Sequence, residues 1–285
     1  MEHVEFHHEV RLTKPTLIAA FKGWNDAGES ATSAAAHLTH VWNAQRVASI
    51  DPEEFYDFQA TRPNVVLDEG MTRHITWPAN EFWAAKDQDG HDVLILTGVE
   101  PNLRWRRFSQ TIVRIAERYE VHFVITLGAL LADVPHSRPV PITGTAADAE
   151  LIARLGLQRS RYEGPTGIVG VLHDAFAKNG IESASLWAAV PHYLAVSPNP
   201  KAALALVEKT VELTRIPADI GELYAATEHY EERIAEVVAA DEDISNYVRL
   251  LEERLDSGEA AFDQEIPSGE SIAAELERYL REHGE

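Results

Sequence analysis

The chain has 285 residues, 45% hydrophobic and 25% charged, enough to bury a full core in one or two domains. It contains no cysteine, which excludes a disulfide framework, thiolate metal sites and a cysteine nucleophile, and fits a cytosolic protein. The formal net charge of −21 argues against nucleic-acid and anionic-membrane partners.

The first ten residues hold three histidines and three glutamates, a composition unlike a signal peptide. No run approaches the roughly eighteen apolar residues of a membrane span. Leu17–Phe21 is an apolar run that predicts a strand. Gly23-Trp-Asn-Asp-Ala-Gly28 follows as a tight turn, and the Ala-rich stretch Ser30–Trp42 predicts a helix. This is the building unit of α/β sheets, whose ligands bind at strand carboxyl ends. Gly23 to Ser30 nearly matches the phosphate loop, but Glu29 stands where the phosphate-binding lysine belongs, so the charge is of the wrong sign. The Rossmann glycine fingerprint is also absent. Asp26 and Glu29 instead have the spacing of a reciprocal capping box, with a ligand site using Asn25 and Asp26 as the alternative.

Further strands are expected at Arg46–Ile50, Met71–Pro78, Asp92–Gly98, Val121–Gly128 and Ser185–Val190. The Asp92 and Val121 runs are continuously apolar, as in strands covered on both faces. Asp51–Asn64 reads as a loop, extended around Arg62-Pro63. Helices are expected at Leu103–Tyr119, Ala146–Leu155, Ile168–Lys178 (closed by Asn179-Gly180) and Pro200–Arg215. The intervening segments form a mostly parallel sheet flanked by helices, a core domain over residues 1–217.

Strand signals stop beyond Pro217. Ile220–Ala240 and Ile244–Leu255 are amphipathic, Ala260–Ser268 reads as a loop and Ser271–Glu282 as a last helix. From Asp219 onward there are 20 acidic and 5 basic residues, a balance of −15. Residues 218–285 are therefore expected to form an acidic helical extension.

Catalytic signatures are sparse. No zinc-binding histidine pair lies on a predicted helix beyond the weak His37/His40 spacing, and no Gly-x-Ser-x-Gly elbow occurs. The reading is no metal and no cofactor. Candidate pocket residues are Trp24, Asn25, Asp26, Arg62, Glu100, His136, Arg138, His192 and Tyr193, all in turns or loops that can converge at strand ends. An ion-pair cluster tying loops together is the preferred account of Arg62, Glu100, His136 and Arg138. Arg104, Arg106 and Arg107, at a helix start, are read as solvated. Trp24, Trp77, Trp105 and Trp187 are read as packing at sheet ends and subunit contacts.

Several blocks occur together in one order. They are the Gly23–Gly28 turn, Asp57-Phe58 with Arg62-Pro63, Gly98-Val99-Glu100-Pro101, and Pro135-His136-Ser137-Arg138-Pro139. Tyr162-Glu163-Gly164-Pro165-Thr166-Gly167, Ser185-Leu186-Trp187 through Pro191-His192-Tyr193, and Pro198-Asn199-Pro200-Lys201-Ala202 complete the set. With them the chain resembles the proteasome assembly chaperone 2 family, in its actinobacterial branch, over most of residues 15–215. The resemblance implies a purine nucleoside phosphorylase-like α/β fold, a homo-oligomer such as a trimer, and kinship with chaperones of proteasome α-subunits. Relatives in archaea and eukaryotes often end in a hydrophobic-Tyr-any tail that docks into α-ring pockets. This sequence ends Arg278-Tyr279-Leu280-Arg281-Glu282-His283-Gly284-Glu285, so tail docking is not expected. The expected function is a non-enzymatic, cytoplasmic assembly or binding protein. The alternative is a hydrolase or ligase on a phosphorylase-like scaffold.

Overall fold

The computed structural model describes residues 2–68, 72–86, 91–146, 149–157, 163–194 and 196–257. The helix expected at Ser271–Glu282, the loop before it and the polar C-terminus lie outside these residues.

In chain order the elements are β1 (Val4–Phe6), β2 (Thr16–Lys22), α1 (Ser30–Val41), β3 (Gln45–Ile50), β4 (Asn64–Asp68), β5 (Thr72–Thr76), β6 (Asn80–Lys86) and β7 (Asp92–Val99). They continue with α2 (Trp105–Arg118), β8 (Phe123–Ala132), β9 (Ile142–Ala146), α3 (Ala149–Arg154), α4 (Ile168–Lys178), β10 (Glu182–Pro191), α5 (Pro200–Thr214), α6 (Gly221–Ala239) and α7 (Glu242–Asp256). Eight strands form one sheet in the order β1-β3-β6-β7-β2-β8-β10-β9, and β4 and β5 form a separate two-stranded ribbon. The centre, β7-β2-β8-β10, is parallel. β6 runs antiparallel between β7 and β3, so β3 shares the direction of the centre, while β1 and β9 run antiparallel at the two edges. The fold is α/β with a mostly parallel sheet.

Alternation along the central strands assigns their side chains to two cores. Leu17, Ala19 and Phe21 of β2, with Leu94 and Leu96 of β7, face one side and pack with Phe108 and Ile112 of α2 and Leu172 and Phe176 of α4. Ile18 and Ala20, with Val93 and Ile95, face the other side. There Ala31, Ala34, Ala35 and Leu38 of α1 meet Ala202, Ala203 and Leu206 of α5. The small alanines are spaced to share one helix face, which allows α1 and α5 to lie close over the sheet. Trp187 of β10 lies opposite Gly128 of β8. A β-carbon at Gly128 would sit 2.7 Å from the indole ring, so this glycine makes room for the ring.

Three strands of the main sheet and one of the ribbon were not expected. β1 and β9 are short edge strands. β6 (Asn-Glu-Phe-Trp-Ala-Ala-Lys) holds no β-branched residue, and its pairing on both sides supplies what its propensity lacks. The ribbon strand β4 opens directly after Arg62-Pro63. Beyond α5, α6 and α7 form a helical pair with a small core of Tyr230, Ile234, Val238 and Val248 against Leu194. Asp241 caps α7 by accepting from the amides of Asp243 (3.0 Å) and Ile244 (3.1 Å). No helix among the described residues is long and apolar enough to cross a membrane.

Candidate functional site

The parallel centre gathers four chain segments at one end of the sheet. The Gly23–Gly28 turn follows β2, Glu100 follows β7, residues 133–138 follow β8 and His192-Tyr193 follow β10. This end is where α/β sheets place their ligands.

The turn is built by glycine. Gly23 has φ +142° and Gly28 φ +61°, conformations that side chains with a β-carbon resist. They fold Asn25 and Asp26 inward, to 2% and 6% exposure. The Asn25 carbonyl accepts from the Ala129 amide of β8 at 2.8 Å, and the Asn25 side chain lies so close to Gly167 that a β-carbon there would approach its amide nitrogen to 2.1 Å.

Asp26 does not form the expected reciprocal box with Glu29. A short 3-10 turn, Ala27–Glu29, intervenes before α1, so Asp26 reaches further along the chain. One carboxylate oxygen accepts from the amides of Ala31 (2.7 Å) and Thr32 (3.2 Å), and the other from the Thr32 hydroxyl. Glu29 takes a left-handed φ of +50° and turns outward to Lys22 Nζ at 2.6 Å. Burial raises the Asp26 pKa above the usual carboxylate value, and the hydrogen bonds from Thr32 and Ala31 oppose it.

Glu100 ties three segments together. Its Oε1 accepts from the Ile168 amide at 2.7 Å and from Asn25 Nδ2 at 3.1 Å, and its Oε2 accepts from the Trp24 amide at 3.4 Å. Ile168 is the first residue of α4, so the carboxylate also complements the positive end of that helix. The Trp24 indole projects outward, 65% exposed.

A second group lies under α6 and α7. The Tyr193 hydroxyl accepts from the His136 amide at 2.8 Å and lies 2.9 Å from His136 Nδ1, to which it donates when that nitrogen is bare. Burial is the largest cause lowering the His136 pKa, and Lys201 acts in the same direction against Glu252 and Glu231. Burial also pushes the Tyr193 phenol up to about 12. Arg138 donates to both carboxylate oxygens of Asp256 (3.1 and 2.7 Å) and to Glu252 at 3.3 Å, and Ser137 donates to Glu252 as well. The hydrogen bond from Arg138 holds the Asp256 pKa below its usual value. Asp133 meets His192 Nδ1 at 3.0 Å and accepts from the Tyr247 hydroxyl at 3.3 Å. Lys201 spans the His136 carbonyl and Glu231, each at 2.6 Å.

The candidate residues thus fall into two groups. Trp24, Asn25, Asp26 and Glu100 form one, and His136, Arg138, His192 and Tyr193 the other. Arg62 joins neither: it is exposed beside the ribbon, and no hydrogen bond or ion pair among the described residues draws it in. Arg104 and Arg107, read as solvated, both pair with Glu54. The sequence reading missed Asp133, Lys201, Tyr247, Glu252 and Asp256, since the acids that meet Arg138 lie more than a hundred residues away. It also missed Asn80, a buried donor to the Tyr56 hydroxyl, which in turn donates to the Val99 carbonyl. The cavity lined by His136, Arg138, Asn199, Lys201 and Tyr230 has a volume of about 10 Å³, room for a single water. The Tyr230 hydroxyl beside it is buried with no hydrogen-bond partner among the described residues. Among the described residues no cluster of three or more histidine or acidic side chains is placed to hold a metal ion.

A family model described as the PAC2 family matches residues 20–238. The chain belongs to the PAC2 family. A PAC2 family protein of Streptomyces avermitilis has a crystal structure similar to this one, with 42% sequence identity and a TM-score of 0.77, over 82% of this chain and 99% of that one. A Mycobacterium tuberculosis protein described as a proteasome-assembly chaperone homologue gives 42% identity and a TM-score of 0.76 over the same shares of the two chains. The fold reaches archaea: a Pyrococcus furiosus proteasome activator is 17% identical with a TM-score of 0.68, over 82% of this chain and 97% of its own. No curated protein is significantly similar in sequence. The family match spans both the Gly23–Gly28 turn and Glu100 of this chain, and the two actinobacterial proteins share its fold over 82% of its length.

Proposed function

We propose that this PAC2 protein is a non-enzymatic, homo-oligomeric assembly protein of the cytoplasm, whose acidic C-terminal helices engage proteasome α-subunits. The observation that carries the reading is how the polar residues at the sheet end are used. Glu100 is committed to Asn25, Trp24 and Ile168, Asp26 to Ala31 and Thr32, and Arg138 to Glu252 and Asp256. An enzyme on a phosphorylase-like scaffold would direct such groups into a pocket of about 300 Å³ or more, whereas the cavity beside His136 and Arg138 has about 10 Å³. The likeness to a mycobacterial proteasome-assembly chaperone homologue supplies the class of client.

The helical pair supplies a surface for it. Glu228, Glu232 and Glu236 are exposed at i, i+4, i+8 spacing along α6 and so form one acidic stripe. Affinity purification from native cytosol, read by mass spectrometry, should recover α-subunits with the intact protein. Changing the three stripe residues to glutamine should reduce that recovery about tenfold, three exposed charges at roughly 0.5 kcal/mol each. Recovery of the intact protein without α-subunits would overturn the client assignment.

A further inference from the structure

We propose that one face of the β4–β5 ribbon is the surface through which this chain associates with a second copy of itself. The proposal rests on the homo-oligomeric part of the reading above. Antiparallel register places Val65 opposite Ile75 and Leu67 opposite Arg73, so these four side chains share a face. Val65 is 63% exposed, Leu67 57% and Ile75 56%. Trp77 is two residues past Ile75 and packs edge-on against Phe58, with ring centroids 4.7 Å apart. Phe58 leans on the main core, so the apolar strip runs from the body of the protein out along the ribbon. Four of the eleven large exposed apolar side chains among the described residues (Val65, Leu67, Ile75 and Trp77) fall along this strip, with Val66 on the opposite face of β4, which makes it a patch rather than scatter.

Three arguments identify the occupant. An isolated two-stranded ribbon is marginal in water and needs a further layer against its apolar face. That layer must be present whenever the chain folds, a condition that another copy always meets. Charge points the same way. Across residues 62–77, Arg62 and Arg73 balance Asp68 and Glu69, so on a chain of net charge −21 this is a neutral place where like-charged copies can approach. Area is the third argument. Val65, Leu67, Ile75 and Trp77 together expose on the order of 400 Å², about half of the ~800 Å² that one partner gives to a stable interface. The polar rim of the ribbon supplies the remainder, the usual division between interface centre and edge.

The absence of cysteine makes the test clean, because any introduced thiol is the only one. In the full chain, Leu67→Cys should react with a maleimide at least about tenfold more slowly than Val237→Cys on α6, an exposure-matched control at 53%. Light scattering should show an oligomer for the unaltered protein and a monomer of about 31.7 kDa for the combined Val65→Ser, Leu67→Ser and Ile75→Ser variant. A monomeric unaltered protein would overturn the oligomeric reading and this interface with it. An oligomer in which Leu67→Cys reacts as fast as Val237→Cys would overturn the ribbon assignment alone. So would a folded triple-serine variant of unchanged mass. If that variant fails to fold, thiol protection decides.

Discussion

Glu100 joins its own segment to two others, because its one carboxylate accepts from Trp24 and Asn25 of the Gly23–Gly28 turn and from Ile168 at the start of α4. Removing it leaves the Asn25 side-chain amide and the Ile168 backbone amide without the acceptor they meet at 3.1 and 2.7 Å. An unpaired buried donor costs about 1–3 kcal/mol. Glu100→Ala is therefore expected to lower unfolding stability by about 3 kcal/mol, seen as a fall in urea midpoint at unchanged slope. Glu100→Gln keeps one acceptor oxygen for the two closer donors but turns an amide group toward the Trp24 N–H, so its expected cost is about 1 kcal/mol. An alanine variant as stable as the parent would show that these contacts do not hold the turn. Much of this was open to the sequence reading only by kind. Asn25, Asp26 and Glu100 stood out as polar residues at strand ends, but their partners are backbone amides, and no residue type in a sequence marks the amide that a carboxylate will meet.

The α7 helix buries only Val248 and Leu251, so polar and aromatic contacts carry much of its docking. Tyr247 packs edge-on against both His192 and Tyr193, and Tyr193 packs edge-on against His136. His136 is held below its usual pKa of 6.5, chiefly by burial. For a histidine whose folded value is depressed, the stabilisation is present above the unfolded pKa and is lost as pH falls through the folded one. Amide exchange of α7, corrected for its intrinsic pH dependence, should therefore rise as pH falls below 6.5. His136→Gln, which retains an acceptor for Tyr193 but does not titrate, should flatten that rise. A wild-type profile flat down to pH 5 would remove His136 as the cause. At this scale the sequence was legible where patterns are local. The continuous apolar runs of β2, β7 and β8, the alanine face of α1 and the Asn179-Gly180 end of α4 all fix an element by themselves, and Gly180 takes the expected positive φ of +70°. β6 was hidden because its strand character comes from two neighbours rather than from its own residues. The contact of Arg138 with α7 was hidden because sequence spacing carries no signal across 114 to 118 residues.

Across the whole molecule, the two proposed surfaces differ in the force that would hold them, which gives a way to separate them. The ribbon patch is apolar and locally neutral. The segment from Asp219 onward carries −15 of the total −21, so a client on its helices would be held largely by charge. Raising salt from about 0.1 M to 1 M shortens the screening length from roughly 10 Å to 3 Å, while hydrophobic burial is not weakened by it. Salt should therefore release α-subunits from the affinity-purified protein while the mass of the oligomer stays constant. The triple-serine ribbon variant should show the opposite behaviour: a monomer that still captures its client at low salt, though more weakly because several linked contacts have become one. If mass and capture instead fall together along the salt titration, charge holds both surfaces and an apolar ribbon interface is untenable.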